Sequence, residues 1–270
     1  MSLISFNTFG ASSSTSSALT KTGQTIRNAF AQLSSGSRFS SASVDSAGLA
    51  IAAELASNLA SISQGSRNAS DAASALSTAD GALEQVSNIT LRLQEIAVTS
   101  ANGVYSDQQR SALQNEYTAL TAEIQRIGET TSYNGQKLLD GSSISAELGG
   151  NSIDVGGINL SELAQSVASQ DVSTAAGAQD AVAALQSFSD NLASQRGASV
   201  DAGLARLGSV QDTLGSAKTV TAEALSQASD TDFASAISDL TRAKALQQYQ
   251  VAALSSMNQL QASLIKELSA

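Results

Sequence analysis

The side chains in this chain that could do chemistry are carboxylates and hydroxyls, because its 270 residues contain neither histidine nor cysteine. Their absence removes the usual metal clusters and the bases that activate a serine or cysteine nucleophile. Asp230 and Asp232 form the closest carboxylate pair. On a helix, positions i and i+2 do not face the same way, so the pair makes a poor acid/base dyad and is expected instead to complement a helix N-terminal dipole. Ser263 and Lys266 have the spacing of a lysine-activated serine, yet no S-D-N or K-T-G run accompanies them and their setting is an amphipathic terminal pattern. Gly149-Gly150 and Gly156-Gly157 lack the lysine of a phosphate loop and are read as hairpin turns. The glycan sequons at Asn68, Asn88 and Asn159 are short motifs, two of them in expected helix, and carry no weight. No catalytic residue, metal ligand or cofactor is expected, and the chain is not expected to be an enzyme.

With chemistry set aside, composition speaks for architecture. Proline and tryptophan are also absent, aromatics make up 4% of the residues, and alanine and serine fill much of the rest. Such a chain can run long uninterrupted helices. Its 14 basic against 24 acidic residues give a formal charge of -10, which argues against a nucleic-acid partner. No stretch approaches the roughly 18 apolar residues of a membrane span. Met1 to Thr20 contain no Lys or Arg and no sustained apolar block, so export is expected to be leaderless.

Met1 to Ser17 lack helical periodicity and are expected to be poorly ordered in isolation. Leu19, Gly23, Ile26, Phe30 and Leu33 then follow the alternating spacing of a coiled-coil seam. Ser34-Ser35-Gly36 interrupts that helix, and irregular sequence continues to about Ser46. A second helix runs from Ala47 towards Val98, with Leu83, Val86, Ile89, Leu93 and Ile96 on one face. Ala101-Asn102-Gly103 supplies a turn, Ser106 with Gln109 a capping box, and Leu113, Tyr117, Leu120, Ile124 and Ile127 the seam of an antiparallel third helix. The stretches 144–148 and 153–155, across Gly149-Gly150, read as a small hairpin and the only strand-like region. Helix resumes near Ala175, with glycines at 197, 203, 208 and 215 as weak points.

The last forty residues carry two apolar stripes: Phe233, Ile237, Leu240, Val251, Leu254, Ile265 and Leu268 on one, and Ala253, Met257, Leu260 and Leu264 on its neighbour. So wide an arc must be covered on more than one side, which implies other subunits. The expected fold is mostly α: long antiparallel helices, a terminal coiled coil and one small β-hairpin region near 134–160. Two domains are expected, 1–45 with 229–270, and 46–228.

Particular runs add a resemblance. Leu33-Ser34-Ser35-Gly36-Ser37-Arg38, followed by Ser41 to Ile51, is similar to the N-terminal signature of bacterial flagellins, LSSG-x-R before an NSAxDDAAGLAI-like stretch. Arg67 to Asp71, Thr78 to Leu83, Leu93 to Val98 with Ser100 to Gly103, and Tyr133 to Gly141 look like further landmarks of that family, in family order. On the C-terminal side, Ser226 to Ala234 resembles the SRIxDxDxA element, with Gln227 and Ala228 in place of its arginine and isoleucine. Ala243 to Gln250 resembles the run that opens the last helix, Val44 replaces a usual aspartate, and the LGAxxNR element fits poorly at Arg196 to Leu207.

The resemblance implies a short flagellin without inserted β-rich domains: a secreted, extracellular subunit that polymerises with itself into the filament for swimming motility. It implies an inner coiled-coil domain formed by both termini and an outer helical rod. Packing in the filament core would rest on Leu19, Ile26, Phe30, Leu33, Ile237, Leu240, Leu254, Leu264 and Leu268. The N-terminal segment would serve as an uncleaved signal for the flagellar type III apparatus. Implied partners are an export chaperone on the C-terminal helix, filament cap and hook-junction proteins, sister flagellins, and a host innate receptor reading Arg92, Glu95 and Ile96. A hook-filament junction protein and, in another class, a helical signalling module remain as alternatives.

Overall fold

A computed structural model describes residues 2–39 and 45–268, with side-chain environments at 13–39, 45–263 and 266. Ser41 to Val44, within the signature quoted above, lie outside the described residues. The chain forms two compact units, Met1–Ser57 with Thr221–Ala270, and Asn58–Val220.

The second unit holds the large side chains. Helix α2 (Ser46–Ala101) and helix α3 (Asp107–Thr130) flank the turn at Asn102, and Ser106 caps α3 with the reciprocal Gln109 bonds that the sequence predicts. Two hairpins follow: β1 (Ser132–Tyr133) with β2 (Gln136–Lys137), and β3 (Ser143–Glu147) with β4 (Ser152–Gly156). The second is the hairpin read from the sequence. The first is additional, and its two-residue loop needs left-handed backbone at Asn134 (φ 49°) and Gly135 (φ 81°), which this residue pair tolerates. A short helix α4 (Leu160–Ala168) precedes α5 (Ala175–Gln195), whereas periodicity placed the return of helix only at Ala175. Nine residues are too few for a periodic stripe to stand out.

Helix α5 runs without a break through a π-helical turn, Arg196–Asp201, into α6 (Ala202–Ser229). Gly197 therefore marks a widened turn rather than a weak point. The inward positions explain it: Leu185, Phe188, Leu192, Arg196, Val200, Gly203 and Leu207 are spaced 3, 4, 4, 4, 3, 4. Three successive fours carry one residue too many for an α-helical stripe, and a π turn takes it up. Arg196 is held there by Asp80 of α2, at 2.6 and 3.0 Å.

Leu76, Leu83, Leu93, Tyr117, Ile124, Leu160, Leu185, Phe188 and Leu207 are all enclosed in this core. Two close approaches depend on glycine. A Cβ on Gly65 would lie 2.7 Å from the backbone carbon of Leu148, and one on Gly203 2.9 Å from Leu76 Cδ1. The connection between α4 and α5 is pinned by side chains: Tyr117 Oη donates to the Val167 carbonyl (3.0 Å), and the Val172 N–H donates to Gln114 Oε1 (2.6 Å). Burial in apolar surroundings raises the Tyr117 hydroxyl pKa to about 12.

The first unit is built on α1 (Ser2–Ser35) and α7 (Phe233–Leu268). Here one expectation fails, because Ser2 to Ser17 are helical. Periodicity reports an apolar stripe and not helicity itself. With no proline in the way, serine and threonine join a helix by bonding back to it, as the Thr20, Thr22 and Thr25 hydroxyls do to the carbonyls of Ser16, Ala18 and Lys21.

Candidate self-association surface of the terminal helices

Helices α1 and α7 pack antiparallel. Ser37 forms an antiparallel bridge with Asp230, and Lys244 Nζ lies 5.0 Å from the centre of the Phe30 ring. On α1, Thr22 and Ala29 are buried, and Thr15, Leu19, Ile26 and Leu33 are half-buried in line with them, with Ala18, Gly23, Asn28 and Gln32 half-buried beside that line; on α7 the covered positions are Ala236, Leu240, Ala243, Gln250, Leu254, Met257 and Gln261. The α1 line alternates four and three as a coiled-coil seam does, and the α7 set does so on either side of a seven-residue step from Ala243 to Gln250. The expected seam thus holds at Leu19, Ile26, Leu33, Leu240 and Leu254 but is centred differently. Thr22 and Ala29 replace Gly23 and Phe30 on α1, and Ala236 and Ala243 replace Phe233 and Ile237 on α7.

Size explains the change. The buried residues of this unit are Thr22, Ala29, Ala52, Ala236 and Ala243, so no described side chain larger than threonine is enclosed. Small residues let two backbones come close, and a phenylalanine on that line would hold them apart. Phe30 is displaced to the edge, 51% exposed, beneath the Lys244 ammonium. Alanine and threonine give little hydropathic contrast, which hid them from a search for large apolar residues. Their seven-residue spacing, Thr15, Thr22, Ala29 and Ala236, Ala243, was the available signal.

The residues flanking the α7 seam stay uncovered. Ile237 (53%) and Val251 (52%) lie along one side, and Leu246 (47%) and Leu260 (59%) along the other. In a two-stranded coiled coil these flanking positions are commonly charged; apolar residues there demand further neighbours. Tyr249 is exposed on the outer face. Leu264 and Leu268 continue the two seam rows by count, but their side chains lie outside the described residues.

The other singled-out residues serve structure. Asp232 caps α7, its Oδ1 accepting from the N–H groups of Ala234 (3.0 Å) and Ser235 (3.3 Å). The Ser226 and Ser229 hydroxyls both donate to the Asp230 carboxylate. Ser263 Oγ donates to the Leu260 carbonyl (2.8 Å). Among the described residues no acidic cluster could hold a metal ion, and no helix is long and apolar enough to cross a membrane.

On α2, Arg92 reaches both Glu116 of α3 and Glu95, each at 2.8 Å, and Glu116 first, then Glu95, holds its pKa above the ordinary value. Ile96 does not join them at the surface. It is 2% exposed, facing the core, because position 96 follows Leu93 on the inward stripe, while Leu91 and Val98 point out.

Comparison with known proteins agrees along the chain. Residues 6–144 match the family described as the bacterial flagellin N-terminal helical region, and 178–268 the bacterial flagellin C-terminal helical region. The chain is 33% identical over 247 residues to a flagellin of Halalkalibacterium halodurans, an alignment covering 86% of this chain and 88% of that one. It is 39% identical over 159 residues to the B-type flagellin of Pseudomonas aeruginosa, covering 58% of this chain but 33% of that protein. The crystal structure of Bacillus cereus flagellin superposes with a TM-score of 0.50 at 26% identity, over 55% of this chain and 88% of that one. A putative flagellar hook-associated protein from Vibrio parahaemolyticus shares the fold, with a TM-score of 0.59 at 15% identity over 69% of this chain and all of that one. These matches favour neither the hook-junction nor the signalling alternative.

Proposed function

Because this chain belongs to the bacterial flagellin family and is a structural subunit of the flagellar filament, we propose that α1 and α7 form the inner domain through which copies pack on one another. The observation that carries this reading is the contrast between the two units. One encloses Tyr117, Phe188 and many leucines, whereas the other encloses no described side chain larger than threonine and leaves Phe30, Ile237, Leu246, Val251 and Leu260 exposed. A helix pair of that kind lacks a core of its own and gains one when neighbours cover its flanks. Repetition of a heterologous, non-closing contact gives a helical filament rather than a ring.

Residues 1–45 with 229–270 are the inner domain in this reading and 46–228 the rod. Leu19, Ile26, Leu33, Leu240, Leu254, Leu264 and Leu268 hold the pair together, while Phe30 and Ile237 face the next copy. The same exposed α7 flanks suit an export chaperone before assembly. Passage through the type III apparatus, contact with cap and hook-junction proteins, mixing with sister flagellins and sensing by a host receptor follow from family membership. For the receptor, Arg92 and Glu95 are the accessible candidates. A reporter-cell comparison of the native protein with Arg92→Ala tests this, and equal signals would remove Arg92.

The central experiment is polymerisation of the purified full chain in high salt, viewed by negative-stain electron microscopy. Long filaments are expected from the native protein and none from Leu264→Asp, whose far-ultraviolet circular dichroism should still report the folded α2–α6 helices. Normal filaments from Leu264→Asp would overturn the assignment of the inner domain.

A further inference from the structure

We infer that the two linkers, Gly36–Arg38 and Ser229–Thr231, act as a clamp that selects the register in which α1 and α7 pair. This rests on the pairing proposed above and names what positions it.

The seam alone specifies a register only in part. On α1 the rows alternate larger Leu19, Ile26 and Leu33 with smaller Thr15, Thr22 and Ala29, and on α7 Leu240 lies between Ala236 and Ala243, with Leu254 between Gln250 and Met257. A slip of seven residues keeps the three-and-four spacing and brings Leu254 to the place of a glutamine, so part of the seam contact is regained. Of the charged side chains near the linkers, Arg242 pairs with Asp239 within α7 and Arg38 with Asp45, while the Lys244 ammonium lies over the Phe30 ring across the pair.

The linkers supply a further, directional asymmetry. The Arg38 N–H donates to the Ser229 carbonyl (2.7 Å), and the Thr231 N–H donates to the Gly36 carbonyl (3.0 Å), with Ser37 opposite Asp230 between them. Each linker is fixed to its own helix. Gly36 ends α1 in left-handed backbone (φ 70°), its N–H donating to the Gln32 carbonyl (2.9 Å), and Gln32 Nε2 reaches round to the Arg38 carbonyl (3.1 Å). On the other side the Asp230 carboxylate is bonded by the Ser226 hydroxyl, and Asp232 caps α7. The last turn of α1 and the first turn of α7 are therefore set at one offset by hydrogen bonds that a seven-residue slip breaks. Both clamp strands lie in runs singled out in the sequence, Leu33 to Arg38 and Ser226 to Ala234, which are far apart in the chain and meet here.

The chain has no cysteine, so paired cysteines report the offset cleanly. Phe30→Cys with Lys244→Cys reads the observed register, and Phe30→Cys with Val251→Cys reads a slip of one heptad. Full-length reporter chains are diluted into excess unlabelled chains, polymerised and treated with a short bismaleimide, so that only cross-links within one chain form. Thr231→Pro removes the N–H that bonds Gly36, whereas Thr231→Ala keeps it. Gly36→Val opposes the left-handed backbone, whereas Gly36→Asn tolerates it. Gly36→Ala, with a single added methyl, replaces Thr231→Pro if that variant does not enter the filament. The ratio of 30–251 to 30–244 product should rise at least tenfold in Thr231→Pro and Gly36→Val and stay within twofold of native in Thr231→Ala and Gly36→Asn. A ratio unchanged in all variants overturns the clamp, and so does an equal rise in all four. Failure of the otherwise native chain to give the 30–244 product overturns the pairing itself.

Discussion

Truncating Ile237 should weaken polymerisation without touching the rod. Ile237 is 53% exposed, so about half of its side chain remains to be covered by a neighbour. Full burial of an isoleucine is worth about 2–3 kcal/mol, which leaves roughly 1–1.5 kcal/mol for the half gained on assembly. At about 1.4 kcal/mol per factor of ten, Ile237→Ala should raise the critical concentration roughly five- to tenfold. Ile237→Asp adds the desolvation of a carboxylate, several kcal/mol more, and should leave no filament at accessible concentrations. The assay is sedimentation after seeded polymerisation, with the critical concentration read as the protein left in the supernatant. Thermal unfolding of the 58–220 core serves as the control and should not move. Critical concentrations within twofold of native for both variants would refute the reasoning, because an exposed Ile237 that no neighbour covers costs nothing when shortened.

Three further outcomes concern the unit Asn58–Val220. The Tyr117 pKa is about 12 in the folded chain against about 10 unfolded, so folding favours the neutral phenol. Its contribution is complete below pH 10 and is lost as pH rises from 10 to 12, at most about 2–3 kcal/mol; urea unfolding across that range should show the loss in the native protein and not in Tyr117→Phe. Gly65→Ala puts a methyl 2.7 Å from the Leu148 backbone carbon and should cost about 1–3 kcal/mol, with amide shifts at 147–150; an unchanged melting temperature counts against it. Arg110 is 5% exposed, with Nη2 donating to the Asn102 carbonyl (3.1 Å) and Nη1 enclosed without a partner. Replacing a poorly compensated buried charge by an apolar side chain is often neutral, so Arg110→Met should stay within about 1 kcal/mol of native by urea unfolding, and a loss above about 3 kcal/mol refutes that account.

What was legible in the sequence follows from how each signal arises. Helices α2 and α3 were readable because Leu83, Val86, Leu93, Tyr117 and Ile124 are large, inward and regularly spaced, and because the Ser106–Gln109 cap is local. The β3–β4 hairpin was readable because Gly149-Gly150 punctuates two alternating runs. The π turn escaped because a surplus residue between Leu192 and Val200 leaves no mark in composition, only an irregular count. Ser2 to Ser17 escaped because the run Ala11 to Ser17 carries no large apolar residue and Leu3, Ile4, Phe6 and Phe9 do not extend into a longer stripe. On the surface, Phe30 and Ile237 were picked out as apolar but assigned to the seam. Only packing tells that the seam itself runs one position away, over alanine and threonine, and that Ile96 turns inward where Arg92 does not.

That displacement bears on how one subunit can be both soluble and prone to assemble. If Phe30, Ile237, Val251 and Leu260 lay in the α1–α7 seam, the pair would bury its large residues within one chain and have little left for a neighbour. With alanine and threonine enclosed in the seam and its leucines and Ile26 only half covered, the intramolecular contact is shallow, and Phe30, Ile237, Leu246, Val251 and Leu260 stand on the flanks. Under the proposed inner-domain reading, the free energy of the α1–α7 unit is moved from folding to association, in line with export first and packing afterwards. A direct consequence separates this account from one in which the pair is independently stable. Enlarging the seam with Ala243→Leu should force the helices apart and raise the critical concentration, even though it adds apolar surface, because overpacking a close contact costs about 1–3 kcal/mol. Sedimentation would show it, and a lower critical concentration for Ala243→Leu would mean that the seam tolerates larger residues and that its small ones are not what sends Phe30 and Ile237 outward.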